Sequence, residues 1–107
     1  MDVHITGKHF EISDRLRAHI EGEAAKLERF STRIIDCQVF VGTEKRMKEV
    51  EVVLKVRAHT LTATSAGTSV YQSAEEAMAK VKAQLKKLQD KLRTRRRAGG
   101  KRALREA

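Results

Sequence analysis

The order of apolar and polar residues along the chain predicts six secondary-structure elements. In VHITGKHF, Val3 and Ile5 alternate with polar neighbours, which predicts a short strand that Gly7 ends. Ser13 is a candidate N-cap, and apolar side chains then recur every three or four residues, which predicts a helix over about residues 13–29. The apolar stripe of this helix comprises Leu16, Ile20, Ala24 and Leu27.

Three strands with short connections are predicted next. In IIDCQVFV, alternate residues from Ile35 to Val41 should face inward, and GTEKRMK should connect this strand to EVEVVLKVRA. The inward residues of that second, most regular strand are Val50, Val52, Leu54, Val56 and Ala58. After a bend near residues 59–60, LTATSA should turn Leu61 and Ala63 inward. Successive strands joined in this way favour an antiparallel meander.

A long amphipathic helix is predicted over about residues 70–97. Ser69 and Gln72 fit a capping box at its start, and apolar residues then step by four and three positions. That stripe comprises Ala74, Met78, Val81, Leu85, Leu88 and Leu92. We expect Gly99 and Gly100 to end the helix.

The element order βαβββα predicts an α+β fold. All strands but one alternate, so the sheet should bury one face, and each helix has one apolar stripe that can cover it. We therefore expect a two-layer sandwich with both helices on one face of a four-stranded sheet. The first helix would cross over between strands one and two, which could then pair in parallel. Double-stranded-RNA-binding domains share this order without the leading strand. Residues 1–97 would form the domain, and residues 98–107 a flexible basic tail.

Charge is concentrated at the C-terminal end of the chain. Residues 80–107 carry 12 of the 23 lysines and arginines and only two acids, so the formal charge of +9 divides into +10 there and −1 in residues 1–79. Between residues 80 and 97, nine bases accompany one acid, Asp90. Exposed helix faces that serve only solubility normally mix both signs. The excess therefore predicts that this segment binds phosphate groups.

At 100° per residue, these bases flank the apolar stripe of the last helix on both sides. One flank carries Lys82, Lys86 and Arg93, and the other carries Lys80, Lys87 and Lys91. The chain has one tyrosine, three phenylalanines and no tryptophan, which leaves no aromatic platform for stacking single-stranded bases. We therefore expect recognition of the phosphate backbone and of RNA shape.

Patterns typical of catalysis, cofactors and metals are missing from the sequence. Cys37 lies on the apolar face of a strand and is interpreted as a small core side chain rather than a catalytic thiol. The four histidines are scattered without metal-ligand spacing. We therefore expect a protein that is not an enzyme and has no cofactor, no metal and no small-molecule substrate. No signal peptide or membrane span is visible, so we also expect it to be cytoplasmic, with no membrane partner.

Several markers over about residues 1–93 resemble the ribosome hibernation promoting factor and ribosome-associated inhibitor family. They are Ile5-Thr6-Gly7, Leu16-Arg17, the AKLE run at 25–28, Tyr71 and the K-x-x-x-Q-L-x-K series from Lys80 to Lys87. The resemblance implies the βαβββα fold and binding to small-subunit rRNA in the channel used by mRNA and tRNA. It also implies inhibition of translation during stress or stationary phase, by a short form that lacks the ribosome-dimerising domain.

The resemblance also implies a set of rRNA-binding residues. Lys26, Lys80, Lys87 and Lys91 match basic positions of the family, whereas charge alone adds Lys82, Lys86, Arg95, Arg96 and Arg97. Ser69, Ala74 and Ala83 depart from the family pattern, which affects detailed contacts rather than the fold. Away from the small ribosomal subunit we expect a monomer. The alternative is a basic module that binds RNA or anionic surfaces in general, without ribosome specificity.

Overall fold

The structure is a computed structural model that describes the backbone of residues 1–31 and 33–102 and the side chains of residues 1–31 and 33–93. Its elements follow the predicted order βαβββα. They are β1 (Asp2–Lys8), α1 (Asp14–Phe30), β2 (Ile34–Glu44), β3 (Met47–Val56), β4 (His59–Gly67) and α2 (Val70–Arg102). The strands form one sheet in the order β1-β2-β3-β4, with β1 parallel to β2 and the other pairs antiparallel.

One apolar core lies between the sheet and the two helices. Val39 and Val52, which face each other across β2 and β3, are completely buried, as are Ile20 of α1 and Val81 of α2. The predicted two-layer α+β sandwich is therefore confirmed. Burial of these aliphatic side chains is the dominant stabilising contribution in a domain of this size.

The connection between β1 and α1 depends on a glycine and a capped helix. A Cβ atom at Gly7 would collide with the carbonyl oxygen of Phe10, so only glycine allows the chain to turn this closely. The backbone nitrogen of Leu16 donates to Ser13 Oγ at 3.1 Å, which confirms Ser13 as the N-cap. Strand β1 continues through Lys8, one residue beyond its predicted end.

The predicted inward position of Ile35 is wrong. Its side chain is 54% exposed, whereas its neighbour Ile34 is buried. The pairing of β2 with β3 shifts register between Ile34 and Asp36, so one extra residue enters β2 at this point. Such a bulge reverses the side-chain alternation before it. Beyond the bulge, Cys37, Val39 and Val41 are buried as predicted.

The connections between the three antiparallel strands are tighter than predicted. Glu44 pairs with Met47, so residues 45–46 alone form the first turn, and the predicted connection GTEKRMK belongs largely to the strands. Val56 pairs with His59, so the second turn is Arg57-Ala58 rather than a bend at residues 59–60. Lys45 and Ala58 take positive φ angles of 59° and 64°, a conformation that two-residue hairpins often require.

Helix α2 begins as predicted but ends later. Ser69 Oγ accepts a hydrogen bond from the backbone nitrogen of Gln72 at 3.4 Å. The helix runs on to Arg102, so the expected stop at Gly99 and Gly100 is wrong. Glycine weakens a helix but, unlike proline, keeps its backbone donor, and the chain contains no proline. The division into a domain of residues 1–97 and a tail of residues 98–107 stays a prediction, and residues 103–107 lie outside the described residues.

Candidate nucleic-acid interface

Helix α2 presents its apolar stripe to the sheet and its bases to the surface. Ala74, Ala77, Met78, Val81 and Leu85 are buried in the core. The lysines on both flanks of this stripe are exposed, as the helical spacing predicted. The burial of the stripe fixes the rotation of the helix and therefore the direction in which each basic flank points.

One flank of α2 lies against the free edge of β4. Lys80 Nζ donates to the backbone oxygen of Thr64 at 2.9 Å, and Gln84 Nε2 donates to that of Thr62 at 2.8 Å. Nearby, Ser65 Oγ donates to a carboxylate oxygen of Glu76 at 2.7 Å. Lys80 is thus exposed but also engaged with the fold, a contact that sequence periodicity alone did not indicate.

The other flank of α2 faces α1. Lys82 Nζ lies 5.4 Å from the centre of the Phe30 ring, within the range of a cation–π contact. Lys26 of α1 pairs with Glu23 at 3.0 Å. Lys26 and Lys82 line the same shallow groove of about 250 Å³ between the helices, together with Glu23 and Glu75. The two acids reduce the positive charge of this groove.

Farther along α2, the predicted bases stand free of described acids. Lys86, Lys87 and Lys91 are exposed, and no acidic group of the described side chains lies within 4.0 Å of their amino groups. Asp90 pairs instead with Arg93, at 3.8 Å. The backbone of α2 includes Arg95, Arg96 and Arg97, but the structure does not describe the side chains of these three residues. The amino groups of these three lysines therefore form no ion pair with a described acid.

One end of the sheet carries Arg33, Arg57 and His59, which were not predicted as site residues from the sequence. Ile34 pairs with Val56, which places Arg33 and Arg57 at the same end of β2 and β3. Arg33, Arg57 and His59 all line a pocket whose other wall is the C-terminal half of α2. These residues are far apart in sequence, and only the strand register brings them together. A search limited to runs of bases could not find them.

The single cysteine of the chain, Cys37, belongs to the core. The Cys37 side chain is fully buried, and burial, followed by the charge of Asp36, raises the pKa of its thiol to about 11. The predicted core role of Cys37 is therefore confirmed, since a protonated buried thiol is a poor nucleophile. Among residues 1–31 and 33–93, no three His, Cys, Asp or Glu side chains form a metal-ligand cluster.

Helices long and apolar enough to span a membrane do not occur in the described part of the chain.

Comparison with known proteins places this fold and its basic helix in a family. Residues 3–93 match the family described as Sigma 54 modulation protein / S30EA ribosomal protein. This chain belongs to that family. The resemblance found in the sequence is therefore confirmed, and it covers the same part of the chain as the sequence markers.

Individual S30EA relatives match along nearly their whole length. Ribosome hibernation promoting factor of Escherichia coli K12 is 31% identical over 93 residues, which cover 87% of this chain and 98% of that protein. Ribosome-associated factor Y of Haemophilus influenzae is 29% identical over 96 residues, which cover 90% of each chain. The relatives thus share the complete βαβββα region rather than a single motif.

Solved structures of similar proteins have the same fold. A ribosomal subunit interface protein from Coxiella burnetii superimposes with a TM-score of 0.77 at 25% identity, covering 84% of this chain and 99% of that one. The N-terminal domain of Thermus thermophilus Protein Y gives a TM-score of 0.75 at 18% identity, covering 82% of this chain and 99% of that one. Because the identity to the Protein Y domain is only 18%, that comparison supports the fold alone.

Two of the S30EA sequence markers have structural roles in this chain. Tyr71 lies between the helices, with the His19 ring 5.2 Å away in an edge-on arrangement and the Arg15 guanidinium 5.8 Å from the Tyr71 ring centre. In the K-x-x-x-Q series, Lys80 and Gln84 are the two side chains that bond the β4 backbone. These markers therefore position α2 against α1 and β4, and so orient its bases.

Proposed function

We propose that this protein is a ribosome hibernation factor that binds small-subunit rRNA in the mRNA and tRNA channel and inhibits translation during stress or stationary phase. The observation that carries the proposal is the set of exposed lysines on α2, Lys86, Lys87 and Lys91, with no described acid within 4.0 Å. Membership of the S30EA family supports the ribosome as the partner. The role requires no catalysis, so the protein would act in the cytoplasm as a non-enzymatic inhibitor.

The geometry supports a broad contact with a phosphate backbone. Successive α2 lysines on the β4-facing flank follow one line along a rigid helix, which suits the regular spacing of phosphates on a folded RNA. Lys26 and Lys82 extend the basic surface toward α1, although Glu23 and Glu75 weaken it there. The contribution of Arg95, Arg96 and Arg97 stays a prediction.

A lipid surface fits α2 less well than RNA does. Interfacial helices insert an apolar face between lipid headgroups. The apolar stripe of α2 instead packs into the core, where Ala77, Val81 and Leu85 are buried. Binding of α2 to a membrane would therefore depend on charge alone. The alternative function is a basic module that binds anionic surfaces in general.

Co-sedimentation with ribosomal subunits at two salt concentrations tests the proposal. We expect the protein to pellet with small subunits at low salt and to be released at high salt, because each neutralised phosphate releases counterions. An mRNA fragment with an initiator tRNA should compete for the site, whereas the large subunit should not bind the protein. Equal binding to both subunits and to anionic vesicles would support the general basic module instead.

A further inference from the structure

A pocket lies where α2 crosses the end of the sheet. Its volume is about 370 Å³, at the small end of the range of ligand pockets, which is roughly 300–1,000 Å³. Its apolar part is formed by Val56, Leu85, Leu88 and Leu92. Leu85 and Val56 are buried, and Leu88 is half-buried, so the pocket is an open continuation of the core.

The polar part of the pocket carries positive charge and hydrogen-bonding groups. None of the described residues that line it is acidic. Arg33, Arg57 and His59 are exposed at its rim, and the amide of Gln89 lies on the α2 side. Ser31 Oγ, which is buried, accepts from the backbone nitrogen of Arg33 at 3.2 Å, and no acceptor for its hydroxyl proton is found among the described contacts.

We propose that this pocket receives one unstacked nucleotide of single-stranded RNA, with its base over the leucines and its phosphate on Arg33 and Arg57. The combination fits a nucleotide better than a peptide or a fatty acid. Arginine binds phosphate oxygens in pairs and also stacks on base faces, and histidine can stack as well. An amide and a hydroxyl can read the polar edge of a base.

This inference rests on the proposed function, and it changes one part of the sequence interpretation. The scarcity of phenylalanine, tyrosine and tryptophan argued against any recognition of unstacked bases. His59 and the two arginines supply planar groups at a place that the sequence did not reveal. The flanks of α2 would then bind the RNA backbone while this pocket holds a single base.

Methyl NMR on the full chain tests the pocket directly. The signals of Val56 and Leu88 should shift when a short single-stranded RNA is added, because a base would lie against them. The same strand annealed to its complement should leave these signals unmoved, since its bases are stacked. His59→Ala should weaken the single-stranded complex about tenfold, because it removes one side chain that can stack on a base.

Affinity for small ribosomal subunits can be compared between a pocket variant and a matched control variant. Arg57→Ala should weaken small-subunit binding about tenfold. Arg46→Ala removes the same charge from the turn at the opposite end of the sheet and should weaken it less than twofold. Thermal melting of both variants, measured in parallel, shows whether either loss reflects folding. A tenfold loss for Arg57→Ala with normal melting, and none for Arg46→Ala, would support the pocket.

The remaining outcomes separate the possible failures. If single-stranded RNA shifts the α2 amide signals but not the Val56 and Leu88 methyls, the pocket inference is wrong while the proposed function stands. If AMP shifts those methyls as strongly as RNA does and Arg57→Ala binds ribosomes normally, the occupant is a free nucleotide and the RNA inference is overturned. If neither RNA nor small subunits bind the wild-type protein, the proposed function fails and the inference fails with it.

Discussion

The ammonium group of Lys80 donates a hydrogen bond to the backbone oxygen of Thr64, 2.9 Å away across the boundary between α2 and β4. Gln84, one helical turn later, makes the equivalent bond to Thr62. The β4-facing flank of α2 is therefore both a candidate RNA contact and an attachment of the helix to the sheet. Lys87 lies farther along the same flank and has no such bond among the described contacts.

Lys80→Glu and Lys87→Glu should separate these two roles. We expect Lys80→Glu to lower the free energy of unfolding by about 1 kcal/mol, because it removes the bond to Thr64 and places a second carboxylate four residues after Glu76. Lys87→Glu should change it by less than about 0.5 kcal/mol. Urea denaturation measures both values, and equal stability of the two variants would contradict the structural role of Lys80.

Ser73 links the start of α2 to β3. Its side chain is 1% exposed, and its Oγ donates to the backbone oxygen of Lys48 at 2.9 Å. Ser73→Ala should lower the free energy of unfolding by about 1 kcal/mol, since the hydrogen bond is lost and the carbonyl of the half-buried Lys48 loses a donor. Ser69→Ala, which removes the N-cap of the same helix, is a useful reference, with a cost of about 1 kcal/mol. An unchanged denaturation midpoint for Ser73→Ala would contradict this role.

The turn between β3 and β4 contains an alanine in the left-handed region. Ala58 has a φ of 64°, which costs a residue with a Cβ atom about 1–2 kcal/mol relative to glycine. Ala58→Gly should therefore raise the free energy of unfolding, by about 0.5–1 kcal/mol after the greater freedom of the unfolded glycine is included. Ala66→Gly, an exposed change within β4, should lower it instead. Calorimetric melting of both variants would show the opposite signs.

Because the thiol pKa of Cys37 is raised by burial, we expect the folded protein to lose stability at alkaline pH. Its thiol pKa is raised in the folded protein to about 11 from an ordinary value of 9.0, so the folded state holds the proton more tightly than the unfolded state. The stability linked to this proton is complete below pH 9 and is lost as the pH rises toward 11. The difference in unfolding free energy between wild type and Cys37→Ala should shrink over that interval. A constant difference would show that the thiol does not titrate there.

Charge reversal on α2 should weaken ribosome binding and its dependence on salt together. We expect Lys87→Glu with Lys91→Glu to reduce the slope of log affinity against log salt by about one unit or more, because contacts with phosphates are lost. Lys8→Glu with Lys45→Glu makes the same change in net charge at the opposite end of the sheet, and should leave the slope nearly unaltered. A similar loss for both pairs would indicate attraction by net charge alone.

The sequence predicted the elements of this fold because their periodicity is regular. The caps at Ser13 and Ser69 and the buried stripes of both helices are local features, and they follow from neighbouring residues. The exposed position of Ile35 was missed because a bulge depends on pairing with another strand. The end of α2 was missed because glycine permits a helix to stop without forcing it.

The candidate site was predictable only where its residues are close in sequence. Helical spacing placed the bases of α2 on two flanks, and both flanks are exposed as expected. Periodicity could not reveal that Lys80 also bonds Thr64, because that contact joins residues 16 positions apart. Arg33 and Arg57 were overlooked for the same reason, since each is isolated in sequence and they meet only through the register of β2 and β3.

The bonds from Lys80 and Gln84 also affect how copies of this protein behave toward one another. A free strand edge is a template on which another chain can add a strand, and this is a common route to aggregation. On β4, the carbonyl groups of Thr62 and Thr64 are already occupied by side chains of the same molecule. The two residues that position the basic helix thereby also occupy two of the acceptors through which a further strand would pair with this edge.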